Sequence, residues 1–204
     1  MKRIAVFASG FGSNLQALID YEAGGNLNGS IVLVFSDNGK AYALKRAEKY
    51  GIKTMHFCIR DFKSRVEFDS RILKSLKSEN IDLVVLAGYM LLLGGKIVSE
   101  YRGRILNIHP ALLPSFKGTE GIRDAFEYGV KVTGVTVHFV DEGLDSGPII
   151  LQETVTIAET DNLETLEKKI HEVEHRIYPL AVKYFCEDRL KITGRKVSIL
   201  NIYK

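Results

Sequence analysis

The stretch Ile4-Ala5-Val6-Phe7-Ala8-Ser9-Gly10-Phe11-Gly12-Ser13-Asn14 decides the fold. Its first five residues form an unbroken apolar run, the pattern of a strand covered on both faces in a parallel sheet. The run empties at once into a Gly-containing loop. Ser13 or Asn14 can then open a helix, whose apolar positions Leu15, Leu18 and Ile19 recur at helical spacing and which is predicted to end near Gly24-Gly25. At such a strand-to-helix junction, backbone N–H groups and the helix dipole favour a phosphate. The loop is not a dinucleotide fingerprint, because Leu15 stands where G-x-G-x-x-G needs its last glycine, and it lacks the lysine of a P-loop. Its hydroxyl and amide content favours a single phosphate over a pyrophosphate; a tight turn with no ligand stays open.

Working outward, strand and helix patterns alternate. Strands are predicted over Ser30–Ser36, Lys53–Phe57 and Ile81–Met90, and helices over Tyr42–Tyr50, Ser64–Glu79 and residues 95 to 101. Further on, a helix near 120 to 128 ends at Gly129, and the alternation in Thr133–Val140 predicts a half-exposed strand. A turn-rich acidic loop, Asp141–Pro148, leads into a strand over Ile149–Ile157. A long helix then runs from about Asp161 to Tyr184, with Leu163, Leu166, Ile170, Val173 and Ile177 spaced by three and four. Strands alternating with helices imply right-handed βαβ units, hence an α/β fold: a Rossmann-like, doubly wound, mostly parallel sheet with helices on both faces. The expectation is one domain over residues 1–204, with residues 189–204 as a peripheral C-terminal hairpin.

The composition fits that class. The chain has 204 residues, 46% apolar and 26% charged, enough for a sizeable core. A net charge of +3 without a dense basic tract argues against a nucleic-acid surface but leaves room for small anions. Cys58 and Cys186 sit in no metal or CxxC spacing and read as reduced thiols. The amino-terminal apolar run of about five residues is too short for a signal peptide, and no segment approaches the roughly 18 apolar residues of a membrane helix. A cytoplasmic protein with no membrane or nucleic-acid partner is expected, as a monomer or homodimer.

Candidate chemistry centres on Leu106-Asn107-Ile108-His109-Pro110-Ala111-Leu112-Leu113-Pro114. In an extended run Asn107 and His109 project to one side, about 7 Å apart, and Pro110 keeps His109 extended. An amide and an imidazole held on rigid backbone suit preorganised catalysis. The plain alternative is an Asn that caps a turn and a satisfied core histidine. Asp145, in a loop with Asp141 and Glu142, misses the spacing of a calcium loop. It either lies on a solvated surface or approaches His109, where it would favour imidazolium and relay a proton through water. His171-Glu172-Val173-Glu174-His175 satisfies H-E-x-x-H on a predicted helix, so a zinc hydrolase has to be considered; no convincing third ligand follows, Glu187 being the weak candidate. A charged helix face with satisfied histidines is the simpler reading. Arg65 and Lys117 are candidate anion contacts.

Several motifs in order now carry a resemblance. They are Gly12-Ser13-Asn14, Leu86-Ala87-Gly88-Tyr89-Met90, Asn107-Ile108-His109-Pro110 with Leu112-Leu113-Pro114, Gly134 to Val140, Asp145-Ser146-Gly147-Pro148, and Glu174-His175-Arg176-Ile177-Tyr178-Pro179. From the amino terminus to about Tyr184 the chain resembles the glycinamide ribonucleotide formyltransferases, folate-dependent enzymes of purine biosynthesis. The resemblance implies Asn107, His109 and Asp145 as catalytic trio. It implies Gly12, Ser13 and Asn14 on the substrate phosphate with Arg65 nearby, and Glu174 on the ribose. Met90, Leu93, Val140 and Asp141 would border the folate pocket. The co-substrate would be 10-formyltetrahydrofolate, with no metal. Three departures touch none of the trio: Leu91 where many relatives carry Arg, Lys117 in place of a common proline, and Glu120 where many have His. Methionyl-tRNA formyltransferases resemble this domain but add a carboxy-terminal domain, whereas about 20 residues follow the long helix here. Formyltetrahydrofolate hydrolases resemble it too but add an amino-terminal domain, and remain the alternative.

Overall fold

A computed structural model describes residues 1–201. The chain is α/β and Rossmann-like, and it groups into two compact units, Met1–Leu106 and Asn107–Lys204.

The first unit contains β1 (Lys2–Phe7), α1 (Ser13–Ala23), β2 (Gly29–Ser36), α2 (Tyr42–Lys49), β3 (Lys53–His56), α3 (Arg65–Ser78), β4 (Leu83–Leu86) and α4 (Gly95–Glu100). Its strands lie in the order β3-β2-β1-β4, with β1 parallel to both β2 and β4, and β2 parallel to β3. The chain winds outward from β1 to β3, then returns to add β4 on the other side of β1. That reversal puts the switch point of the sheet at the carboxyl ends of β1 and β4, the position where open α/β sheets take their ligands. The loops after both strands meet there: Ser9 N–H donates to Gly88 O at 3.0 Å, and Met90 N–H donates to Ser9 Oγ at 2.9 Å.

Burial of β1 follows from its apolar run. Ile4 to Ala8 are all at most 1% exposed, and Leu15, Leu18 and Ile19 of α1 are buried. Phe7 and Phe35 pack with their rings tilted by 51° and centroids 4.7 Å apart; each buried ring contributes about 1.5–3 kcal/mol over its exposed state. The strand predicted over Ile81–Met90 is shorter than expected and ends at Leu86. Gly88 has φ +71°, which takes the backbone out of the extended region, so the next residues form the loop after β4.

β5 (Ile105–His109) begins in the first unit and ends in the second. The second unit adds α5 (Gly121–Tyr128), β6 (Val132–Phe139), β7 (Ile149–Thr156), α6 (Leu163–Cys186), β8 (Leu190–Thr193) and β9 (Lys196–Ile199), with strand order β5-β6-β7-β9-β8. β6 and β7 are antiparallel, as are β8 and β9, while β9 runs parallel to β7. A capping box starts α6: Asn162 Oδ1 accepts from Thr165 N–H at 2.9 Å, and Thr165 Oγ1 accepts from Asn162 N–H at 3.0 Å. Its apolar stripe, including Leu166, Ile170, Ile177 and Tyr178, is buried. β8 and β9 form an antiparallel hairpin around Gly194 and Arg195; residues 202–204 of the expected terminal segment lie outside the described residues.

One expectation is corrected. Thr133–Val140 does not form a half-exposed strand, because Thr133 to Phe139 of β6 are buried on both faces. Its polar face meets other polar groups. Thr136 Oγ1 donates to Ala111 O at 2.6 Å and accepts from Leu113 N–H at 3.1 Å, and Gln152 Nε2 donates to it at 3.0 Å. This fixes the segment that follows His109.

Candidate active site

β5 delivers Asn107 and His109 to one side, as period-two alternation requires. Both reach Asp145: Asn107 Nδ2 lies 3.5 Å from Asp145 Oδ1, and His109 Nδ1 lies 3.6 Å from Asp145 Oδ2. The two carboxylate oxygens thus face the amide and the imidazole separately. Asp145 is not solvated, since its side chain is 9% exposed.

The loop that carries Asp145 is tightly built. Asp141 Oδ1 accepts from Gly143 N–H at 3.1 Å and from Ser146 Oγ at 2.6 Å. The loop closes at its base, where Phe139 N–H donates to Pro148 O at 2.9 Å. Only glycine fits at position 147, where a Cβ would stand 1.7 Å from Phe139 O. Asp145 itself has φ +46°, in the left-handed region. Such a conformation costs a non-glycine residue roughly 1–3 kcal/mol and persists only where the surroundings over-determine it.

His138, which sequence reasoning did not single out, completes the cluster. Its ring is 2% exposed, and its Nδ1 lies 2.8 Å from Phe139 O. A carbonyl only accepts, so Nδ1 carries a proton, and Nε2 accepts from Asn107 Nδ2 at 3.2 Å. Nε2 is also 3.7 Å from Asp145 Oδ1, beyond a full hydrogen bond. The available signal was a histidine inside an apolar alternating strand. The turn after Pro114 supplies two more contacts: His109 Nε2 donates to Phe116 O at 2.7 Å, and Gly118 N–H donates to Asp145 Oδ2 at 2.9 Å.

These contacts set the charges. Burial pushes His109 below the ordinary histidine range, against the upward pull of the Asp145 carboxylate and the Phe116 carbonyl. Burial raises the Asp145 carboxyl, but the nearby His138 ring, the Gly118 N–H that donates to it and the imidazole of His109 outweigh it, so the group is held below the usual carboxylate range. A carboxylate ionised at neutral pH beside a proton-exchanging imidazole, with an amide next to both, can stabilise a developing negative charge and move a proton.

Glu174 lies on α6, 4% exposed, with its Oε2 2.9 Å from His171 Nδ1. That hydrogen bond raises His171 above its ordinary range despite partial burial. The His171 and His175 rings stack at 6.2 Å, and His175 is held down by burial. Among the described residues no three His, Cys, Asp or Glu side chains converge as a metal site. Val140 and Asp141 are half-buried at the start of the Asp145 loop.

The remaining candidate residues belong to the first unit. Gly12 caps α1 with φ +75°, and a Cβ there would meet Ala43 Cβ at 2.8 Å and Cα at 3.0 Å. No side-chain hydrogen bond caps α1, and its first turn carries no acidic residue. Met90 is exposed and Leu93 half-buried in the loop after β4. Arg65 is occupied within the protein: its Nε donates to Asp69 Oδ1 at 2.9 Å and its Nη2 to Leu92 O. Lys117 is exposed.

The sequence signature of the family described as "Formyl transferase" matches residues 2–182. A phosphoribosylglycinamide formyltransferase of Bacillus subtilis is 43% identical over 183 residues, 90% of this chain and 94% of its own. The trifunctional purine biosynthetic protein adenosine-3 of Homo sapiens is 47% identical over 181 residues, and the chain spans 18% of its length. Among solved structures, glycinamide ribonucleotide transformylase 1 of Symbiobacterium toebii superposes with a TM-score of 0.96 at 48% identity, covering 98% of this chain and 95% of that one. A formyltetrahydrofolate deformylase of Pseudomonas syringae superposes with a TM-score of 0.90 at 29% identity, covering 98% of this chain and 66% of that one.

Proposed function

Because the chain belongs to the formyl transferase family, we propose that it transfers the formyl group of 10-formyltetrahydrofolate to the amine of glycinamide ribonucleotide, a step of purine biosynthesis. The observation that carries this reading is Asp145, whose two oxygens address Asn107 and His109 at 3.5 and 3.6 Å.

The substrate amine attacks the formyl carbon and forms a C–N bond, giving a tetrahedral intermediate with a negatively charged oxygen. That oxyanion draws hydrogen bonds from the Asn107 amide and from protonated His109. The 3.5 Å contact from Asn107 to Asp145 is the weaker of its two and is the one given up. His109 Nδ1 and Asp145 Oδ2, 3.6 Å apart, are close enough for one reacting oxygen or water to bridge them from the side, and catalytic contacts of this kind tighten when substrate binds. Asp145 stabilises the imidazolium and assists proton transfer from the amine to the departing folate nitrogen through water. The bond from formyl carbon to that nitrogen then breaks, leaving tetrahydrofolate and the formylated nucleotide. His138 holds the Asn107 amide in position.

For binding, the Gly12, Ser13 and Asn14 loop takes the nucleotide phosphate at the amino end of α1. Glu174 accepts the ribose hydroxyls. Met90, Leu93, Val140 and Asp141 contact the folate. Arg65 acts by fixing the Leu92 loop through its bonds to Asp69 and Leu92, which supports a positioning role over direct phosphate contact.

The test supplies glycinamide ribonucleotide and 10-formyltetrahydrofolate and follows both products. Formylated nucleotide and tetrahydrofolate in equal amounts are expected. Water-dependent deformylation with no gain from the nucleotide would make the protein a hydrolase instead. Stoichiometric zinc with chelator-sensitive activity would reassign the His171–His175 segment.

A further inference from the structure

The C-terminal hairpin has no part in the chemistry above, and it lies beyond residue 182, where the family match ends. Burial does not explain it: Ile192 and Leu200 are 41% and 44% exposed. It is nevertheless firmly attached at both ends. At its base, Leu200 N–H donates to Arg189 O and Arg189 Nε donates to Leu200 O, each at 2.8 Å. The same guanidinium lies 4.5 Å over the Tyr184 ring and 3.2 Å from Glu187 Oε2, both near the end of α6. Toward its tip, Lys196 pairs with Ile149, the first residue of β7.

That pairing brings the hairpin turn to the loop before β7. Arg195 Nη2 donates to Ser146 O at 2.8 Å. Ser146 is the residue after Asp145, and its Oγ donates to Asp141 Oδ1 at 2.6 Å. The guanidinium therefore completes a chain from the end of α6, through the hairpin, to the peptide beside Asp145. It also brings a positive charge to a loop with three carboxylates, Asp141, Glu142 and Asp145.

We propose that the hairpin is a brace for the Asp141–Pro148 loop, and that Arg195 is a positioning residue that holds the left-handed backbone at Asp145 in its catalytic geometry. This rests on the role assigned to Asp145 above. Arg195 touches no reacting atom, so its loss should slow turnover without weakening the capture of either substrate.

The experiment compares full-length wild type with Arg195→Ala in steady-state kinetics, thermal melting and amide hydrogen exchange. One solvent-accessible, charge-assisted hydrogen bond corresponds to a fall in kcat of roughly 3- to 10-fold. Both KM values should stay within about twofold, on the principle that a contact felt only in the transition state leaves ground-state binding intact. Exchange should quicken within residues 141–148 and not elsewhere, the melting temperature should hold, and Arg195→Lys should recover part of the turnover. Wild-type kcat with unaltered exchange in the alanine variant overturns the proposal, and so does faster exchange throughout the second unit. If wild type itself fails to formylate the nucleotide, the role of Asp145 falls, while the exchange comparison still decides whether the hairpin braces the loop.

Discussion

The Asn107 amide nitrogen sits 3.2 Å from His138 Nε2, and the His138 ring is itself fixed by its Nδ1 on the Phe139 carbonyl. The orientation of a proposed oxyanion donor therefore depends on a residue one strand away. His138→Ala would leave the half-buried amide with only its long 3.5 Å contact to Asp145 and a looser orientation. A fall in kcat of about 10- to 100-fold is expected, with KM changed little. His138→Gln, which keeps an acceptor, should lose less. Steady-state kinetics on both variants checks this, and wild-type turnover in His138→Ala would remove the residue from the mechanism.

Asp145→Asn keeps shape and removes charge. With its carboxylate gone the imidazolium loses its partner, and turnover should fall by about 100-fold or more, the scale of a lost acid–base group. His109→Ala and Asn107→Ala should likewise lower kcat far more than binding. Calorimetric titration with the nucleotide should give nearly unchanged affinity for all three. Unchanged turnover in any of them excludes that residue.

At position 12 a side chain meets two obstacles, a φ of +75° and the backbone of Ala43 at 3.0 Å. Since neither yields easily, Gly12→Ala should displace the loop at the start of α1. The expected signature is a KM for the nucleotide raised about 10-fold or more, with the folate KM little altered, as phosphate binding at a helix terminus depends on backbone placement. Equal loss for both substrates would point to general unfolding instead.

Two histidines should give the folded state opposite responses to pH. His109 is held below its ordinary value of 6.5, chiefly by burial, so on acidification the unfolded chain takes up the proton first. Its effect is to lower stability as the pH falls below 6.5. His171 is raised above 6.5, chiefly by its hydrogen bond with Glu174, so its stabilisation is full below 6.5 and is lost as the pH rises through the elevated folded value. Denaturant titrations should therefore show His109→Ala losing less stability than wild type from pH 6.5 to 5, and His171→Gln losing less from pH 6.5 to 8. Parallel curves for variant and wild type would refute either assignment.

Much of this was legible in the sequence because it depends on local periodicity. The buried strand Ile4–Ala8, the loop at Gly12 and the shared face of Asn107 and His109 all follow from spacing within a few residues. The approach of Asp145 does not, because it comes from 38 positions beyond Asn107 and depends on β6 and β7 bringing the chain back. Alternation in Thr133–Val140 was misleading for a related reason. Period-two polarity marks a polar face but not what covers it, and Thr136 and His138 face a buried network. The sequence held one clue that a partner-free reading of Arg65 neglects: Asp69 lies four residues later on the same helix, the spacing of an ion pair.

The left-handed backbone at Asp145 applies a second filter to that position, independent of charge. Aspartate, asparagine and glycine enter this region most readily. Glutamate preserves the negative charge yet fits the backbone less well, so the replacement nearest in chemistry is farther in conformation. A saturation library at this codon should therefore sort along two axes: asparagine and glycine retain the loop and lose turnover, and β-branched residues lose both. Any evolutionary route through position 145 is narrowed twice, once by the reaction and once by the turn that carries it.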